Sequence, residues 1–135
     1  MEEKKKIDGK KEIAVIRTLL QISRKQARSI IKFIQGKKVD DAISILNRVI
    51  KKKIAVPMKG EIPHRKGIAG GRFPVKASAL FIKLLKGLSA NASQKGIEGD
   101  LVISGKTDTA PKAMRPGRFR HHFKRINVEL RLEKK

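Results

Sequence analysis

The sequence predicts an α+β fold: three helices packed on a small three-stranded antiparallel sheet, with a long basic β-hairpin extension. Three observations predict it. Three apolar stretches recur at the 3.6-residue spacing of helices. Three others are rich in β-branched residues or alternate at period two. A dense run of arginine and lysine separates the last two of these strands. A sheet with one apolar face needs helices to cover it, so a two-layer arrangement follows. Leu, Ile, Val and Phe make up about 29 per cent of the 135 residues, above the roughly 20 per cent below which charged chains stay disordered. The length suits one domain.

The expected organisation is a flexible N-terminal tail over 1–12 followed by a single domain over 13–135. Residues 1–12 mix lysines with acids and have little to bury. No apolar run follows Met1-Glu2-Glu3, so no secretory leader is expected. Ile13 to Leu20 is aliphatic and β-branched, a strand. Ser23 stands where an N-cap would satisfy the free amides of a first helix. Ala27, Ile30, Ile31 and Ile34 share one face of that helix, and Gly36 ends it. A second helix starts at Asp40 or Asp41, whose charge suits the positive end of the helix dipole. Ala42, Ile45, Leu46, Val49 and Ile50 form its buried stripe, with Lys51, Lys52 and Lys53 at its C-terminal end.

Residues 54–73 read as a basic loop without periodicity, carrying Pro57, Pro63, Gly60, Gly67, Gly70 and Gly71. Pro74 suits the first turn of a third helix. Ala77, Leu80, Phe81, Leu84, Leu85 and Leu88 face inward along it, and Gly96 caps it. Leu101 to Ser104 is a strand. Ile126, Val128, Leu130 and Leu132 alternate with polar residues in another. The segment between them completes an extended hairpin over 101–132.

Lys and Arg number 34 against 12 Asp and Glu, a formal charge of +22. A domain this basic repels itself unless it meets a polyanion. The excess is concentrated. Residues 51–76 hold eight cations against Glu61, and 105–125 hold seven against Asp108. In the second segment Phe119 and Phe123 are interleaved with arginines. Arginine can grip phosphate bidentately, and phenylalanine can stack on unpaired bases. The candidate nucleic-acid-binding residues on the first helix are Arg24, Lys25, Arg28 and Lys32. Lys59, His64, Arg65, Lys66, Arg72 and Lys76 follow around the first basic loop. Lys106, Lys112, Arg115, Arg118, Phe119, Arg120, His121, His122, Lys124 and Arg125 run along the second.

Other chemistries find no support in the sequence. Without cysteine there are no disulfides, thiolate zinc sites or cysteine nucleophiles. Gly105-Lys106-Thr107 resembles the end of a phosphate-binding loop, but the glycine needed five residues earlier is Asp100. His121 and His122 are adjacent and cannot easily share a metal, and His64 has no acidic neighbour in a ligand pattern. Asp40 and Asp41 suit helix caps, and Glu98 and Asp100 suit turns. No enzyme, metal or cofactor is expected, and no stretch is apolar enough to cross a membrane. A free-standing nucleic-acid-binding regulator or DNA-compacting protein is the alternative from another class.

Short motifs carry a resemblance. Ser23-Arg-Lys-Gln-Ala-Arg28, Ile34-Gln-Gly36 and Val39-Asp-Asp-Ala42 are similar to the first helix pair of the universal large-subunit ribosomal protein twenty-two family (seventeen in the eukaryotic naming). Val56-Pro57, Pro63-His-Arg65 and Gly71-Arg-Phe-Pro-Val-Lys-Ala77 resemble the loop of archaeal and eukaryotic members, much of which the bacterial form lacks. Leu84-Leu-Lys86, Ala90-Asn-Ala92 and Lys95-Gly96 match the third helix and its end. Ala110-Pro-Lys112, Met114-Arg115 and Arg118 match the tip of the family's hairpin. The resemblance covers about residues 12 to 133, and order and spacing together make it specific.

The resemblance implies three helices on a three-stranded sheet, binding to large-subunit rRNA, neighbouring large-subunit proteins as partners, and a cytoplasmic, ribosomal location. It also implies that the hairpin reaches the wall of the exit tunnel and meets the nascent peptide there. By position the tip is Lys112, Ala113, Met114, Arg115, Pro116, Gly117 and Arg118, with Arg120 just beyond. Two departures stand out: the stretch from Arg118 to Ile126 is shorter than in most archaeal and eukaryotic relatives, and the N-terminal segment matches poorly.

Overall fold

The computed structural model describes residues 13–60, 62–114, 117 and 122–134. The tail expected over 1–12 lies outside them, as do Arg115, Pro116, Arg118, Phe119, Arg120 and His121 of the second basic segment. The fold is α+β, with three helices and antiparallel sheets.

The main sheet has three strands in the order β1 (Ile13–Leu20), β7 (Ile126–Lys134), β4 (Leu101–Thr109). The last strand of the chain takes the centre, antiparallel to both neighbours, with Leu130 opposite Ile16 on one side and Gly105 on the other. Ile126, Val128, Leu130 and Leu132 are all buried, which is why this strand's alternation is so regular in the sequence.

β4 runs five residues past the expected end at Ser104. Its extension through Gly105-Lys106-Thr107-Asp108 carries no apolar pattern, and register with β7 holds it. Gly105 leaves room for the neighbouring strand β7 and for the first helix above it. A Cβ there would stand 2.7 Å from Leu130 Cδ2 and 3.0 Å from the Glu129 carbonyl oxygen, with Ile31 of the first helix 3.4 Å away.

Helix α1 (Arg24–Ile34) lies against β4 and buries Ala27, Ile30, Ile31 and Ile34, the stripe read from spacing. Ser23 occupies the N-cap but its hydroxyl caps nothing; its carbonyl accepts from the Ala27 amide at 3.1 Å. Gly36, at φ +77°, ends the helix. The link to α2 then binds the free edge of β4: the Gly36 amide donates to Ile103 O at 2.8 Å, and the Ile103 amide donates to Lys37 O at 3.0 Å. These two bonds fix α1 on the sheet and occupy edge groups that would otherwise be open for pairing.

Helix α2 (Val39–Ile50) leans mainly on α3. The helix starts at Val39 with Lys38 as its N-cap, so Asp40 and Asp41 do not cap it; they lie in its first turn, where their charge suits the dipole. Ala42, Leu46 and Val49 are buried, whereas Ile45 and Ile50 are only half-buried because they sit at the border of the stripe. The helix ends in a Schellman turn: Lys53 N donates to Arg48 O and Lys52 N to Val49 O, both at 2.9 Å. The left-handed position that glycine usually fills in this turn is held by Lys52 at φ +56°.

Helix α3 (Val75–Gln94) packs on β1 and α2. Pro74 precedes it as N-cap instead of entering the first turn, and Gly96 at φ +65° follows its end. Phe81, Leu85 and Leu88 are fully buried along it; each such side chain contributes about 1.5–3 kcal/mol. Leu80 and Leu84 are half-buried, and Ile82 and Ser78 join the buried side.

Two further strand pairs depart from the expected single sheet. β2 (Val56–Pro57) pairs with β3 (Gly71–Arg72), so residues 54–73 are not a structureless loop. Their closeness requires Gly71, where a Cβ would stand 2.8 Å from Ala55 Cβ. β5 (Ala113–Met114) pairs with β6 (His122–Phe123) beyond the end of the main sheet.

Candidate nucleic-acid interface

Burying one stripe of α1 on the sheet turns its other face outward. Arg24, Lys25, Arg28 and Lys32 are all exposed on it. β2 packs beside α1, and the chain between β2 and β3 therefore stands opposite those cations. A groove of about 960 Å³ lies between the two. Lys25, Arg28 and Lys32 line it from the helix, and Lys59, His64, Arg65 and Arg72 from the segment 57–74. Two basic stretches thus form one site. Among the described residues that line the groove none is acidic.

Part of the lining is apolar: Met58, Ile62, Phe73 and the rings of Pro57, Pro63 and Pro74. Phe73 lines the groove although the sequence does not single it out: Phe119 and Phe123 have a basic residue on each side, whereas Phe73 has Arg72 on one side and Pro74 on the other.

Arg72 differs from its basic neighbours. Its Nη1 donates to Gly71 O at 2.6 Å, and its Nη2 donates to Pro63 O. It ties the end of the segment back to its middle at Pro63, while Met58 N, donating to Gly70 O at 2.8 Å, joins the two ends. The Arg72 fork thus holds the wall in place. Arg24, Lys66 and Lys76 are exposed but stand outside the lining.

Lys106 lies elsewhere. It projects from the sheet face opposite the helices, 4.0 Å from Glu129. Glu129, 11% exposed, also receives Arg17 Nε at 2.7 Å and the Arg131 guanidinium. Arg131 and Arg17 hold its carboxyl below the usual carboxylate range against the opposing effect of burial. On the same face Ser104 Oγ donates to Glu133 Oε1 at 3.0 Å. Elsewhere on the surface Asp100, at 2.7 Å from Lys38, holds that ammonium above its ordinary value.

Along the second basic segment Lys112, His122, Lys124 and Arg125 are exposed, and Met114 is 67% exposed beside half-buried Ala113. The Ala110 amide donates to Arg125 O at 3.2 Å and joins the two arms above the sheet. Among the described residues no three His, Asp or Glu side chains are grouped so as to hold a metal ion, and no helix is long and apolar enough to cross a membrane.

This arrangement can be set against known proteins. The family model described as ribosomal protein L22p/L17e matches residues 15–129, from β1 into β7. The chain belongs to that family. It is 44% identical over 87 residues to the large ribosomal subunit protein uL22 of Picrophilus torridus, covering 62% of this chain and 58% of the relative. The proteins of the same name from Cenarchaeum symbiosum and Ignicoccus hospitalis are 46% identical over 91 residues and 42% over 86. Those matches cover 63% and 57% of this chain and 60% and 54% of the relatives, so the matched part of the chain spans somewhat over half the length of these relatives. The likeness is to archaeal members.

Proposed function

We propose that this protein is a structural constituent of the large ribosomal subunit, which binds the subunit's rRNA and supports its assembly in the cytoplasm. The observation that carries the reading is the convergence of the α1 cations with those of residues 57–74 on one groove. Family membership supports it. Cations held on a folded scaffold, with no acid among the described residues of the lining, suit a phosphate backbone, and neutralising phosphates releases counterions. The reading includes one domain over 13–135 and no enzymatic activity. It takes neighbouring large-subunit proteins as further partners.

The finer part concerns the hairpin. The sheet strands 101–109 and 126–134 would continue through the short pair beyond them into a hairpin whose tip, residues 112–118, lines the nascent-peptide exit tunnel. Its support is the order of tip motifs that resembles the family and the exposure of Lys112 and Met114. Arg115, Arg118 and Arg120 belong to it by sequence alone.

Affinity of the free protein for large-subunit rRNA should fall steeply as salt rises, with a log–log slope of about −0.7 to −0.9 per phosphate contact. A flat dependence would sink the reading. Co-sedimentation with large subunits separates it from a free-standing regulator or DNA-compacting protein, which would remain off the particle. Replacing Arg115, Arg118 and Arg120 together by Ala should impair subunit assembly or alter the tunnel wall; normal assembly with an unchanged tunnel removes the hairpin part alone.

A further inference from the structure

We propose that the groove between α1 and residues 57–74 takes an unpaired segment of RNA, with its phosphates on the helix wall and its bases against Phe73 and His64, and not the flank of a duplex. The proposal rests on the RNA-binding reading and narrows it.

Size is the first argument. The volume of about 960 Å³ is at the upper end of cavities that admit small organic ligands, roughly 300–1,000 Å³. That is room for a few unpaired nucleotides lying along the groove.

The second is how the lining is divided. Lys25, Arg28 and Lys32 form a row on the exposed face of α1, about 10 Å long at the helical rise. The apolar lining comes from the 57–74 segment, where Phe73 lies half-buried and His64 exposed. A duplex turns phosphates and sugars outward and hides the faces of its bases. Seated here it would leave Phe73, Met58 and Ile62 against charged backbone. An unpaired strand offers phosphates on one side and flat base faces on the other, which is the pairing of surfaces this groove presents.

The third argument is preorganisation. The β2–β3 pair, the Met58–Gly70 hydrogen bond and the Arg72 fork hold the segment 57–74 against itself without a ligand. Binding then loses little to ordering this wall.

The test uses the full chain, a fluorescently labelled unpaired oligoribonucleotide and a blunt RNA duplex with the same number of phosphates, at one salt concentration. The unpaired strand should bind about tenfold more tightly. Phe119 and Phe123 also offer aromatic faces, so the variants decide the location. Phe73→Leu and, separately, His64→Ala should each weaken binding of the unpaired strand about fivefold or more, with duplex affinity and salt slope unchanged. Lys25→Gln should weaken both RNAs. His64 is exposed, so its variant folds even where the Phe73 substitution disturbs the neighbouring chain. A 2-aminopurine base in the unpaired strand should change its fluorescence on binding the wild type and lose that change with both variants. A preference for unpaired RNA that survives both variants overturns the placement, and equal affinity for both RNAs overturns the proposal; either result leaves RNA binding standing. Failure to bind either RNA removes both.

Discussion

Two surfaces of this protein hold clusters of cations and use them in opposite ways. On the outer face of the sheet Arg17, Lys106 and Arg131 surround Glu129, and Ser104 engages Glu133, so these cations share a carboxylate within the fold. In the groove Lys25, Arg28, Lys32, Lys59 and Arg65 line one cavity with no acid among the described residues. The sheet face uses its cations to hold neighbouring strands together, whereas the described residues of the groove set no carboxylate against theirs. A formal charge of +22 therefore says little about any one lysine; what matters is whether a carboxylate of the same chain has already reached it.

The largest test of this difference neutralises each surface in turn. Lys25→Gln, Arg28→Gln and Lys32→Gln combined should reduce affinity for rRNA on the order of 10²- to 10³-fold at low salt, since a hydrogen bond to a charged group contributes about 1.5 kcal/mol or more. The salt slope should flatten by about two to three units. Lys106→Gln should leave affinity within about twofold, because an exposed ion pair is worth little either way. Binding isotherms over a salt series check both. Equal losses would show that the two surfaces do not differ.

Arg72 sharpens the comparison, because it lines the groove but spends its fork inside the fold. Arg72→Ala should cost about 1–2 kcal/mol by leaving the Pro63 and Gly71 carbonyls without this donor, and the slackened wall should weaken RNA binding as well. Arg72→Lys keeps the charge but cannot span two carbonyls. It should behave like the alanine variant in thermal unfolding and in binding. Full rescue by lysine would return Arg72 to the phosphate-binding set.

Local signals made most of the framework legible. Periodicity placed all three helices, and alternation placed β7, because each reports burial along a single element. The sequence was silent where structure depends on partners far along the chain. The continuation of β4 through Gly105 and Lys106 has no pattern of its own and follows from β7. The pairing of Val56-Pro57 with Gly71-Arg72 needs only two residues a side, too few to show a period. The groove is the clearest case: the basic face of α1 and the basic loop are each legible as cationic, yet nothing local says that they face each other. For the same reason nothing in the sequence separates Lys106 and Arg72 from other cations, because Glu129 and Pro63 reach them only through the fold.

Lys52 belongs to neither surface. Its left-handed backbone at φ +56° costs about 1 kcal/mol that glycine would avoid. Lys52→Gly should therefore raise stability by about that amount, about 4 °C in Tm for a chain of this length. A loss of less than one unit of salt slope should accompany it if this lysine also reaches RNA. Scanning calorimetry checks the first part. A fall in Tm would mean that the lysine side chain supports the turn more than its conformation strains it.

The smallest effect belongs to the self-neutralised face and has a distinctive pH dependence. Arg131 and Arg17 lower the pKa of Glu129 in the folded protein relative to the unfolded chain. A carboxylate depressed in this way stabilises the fold fully above its unfolded pKa, and the contribution disappears as pH falls through the lower, folded value. Glu129→Gln should thus lower Tm modestly at neutral pH. The gap to wild type should narrow through the acid range and close once the wild-type carboxyl is protonated. Added salt should narrow it as well, since the arginines are partly exposed. RNA affinity at neutral pH should be unchanged or slightly raised, because Arg17, Lys106 and Arg131 lose their internal partner. A large gain would mean that this carboxylate normally keeps three cations away from RNA, and that the sheet face is a second interface held in check by one residue.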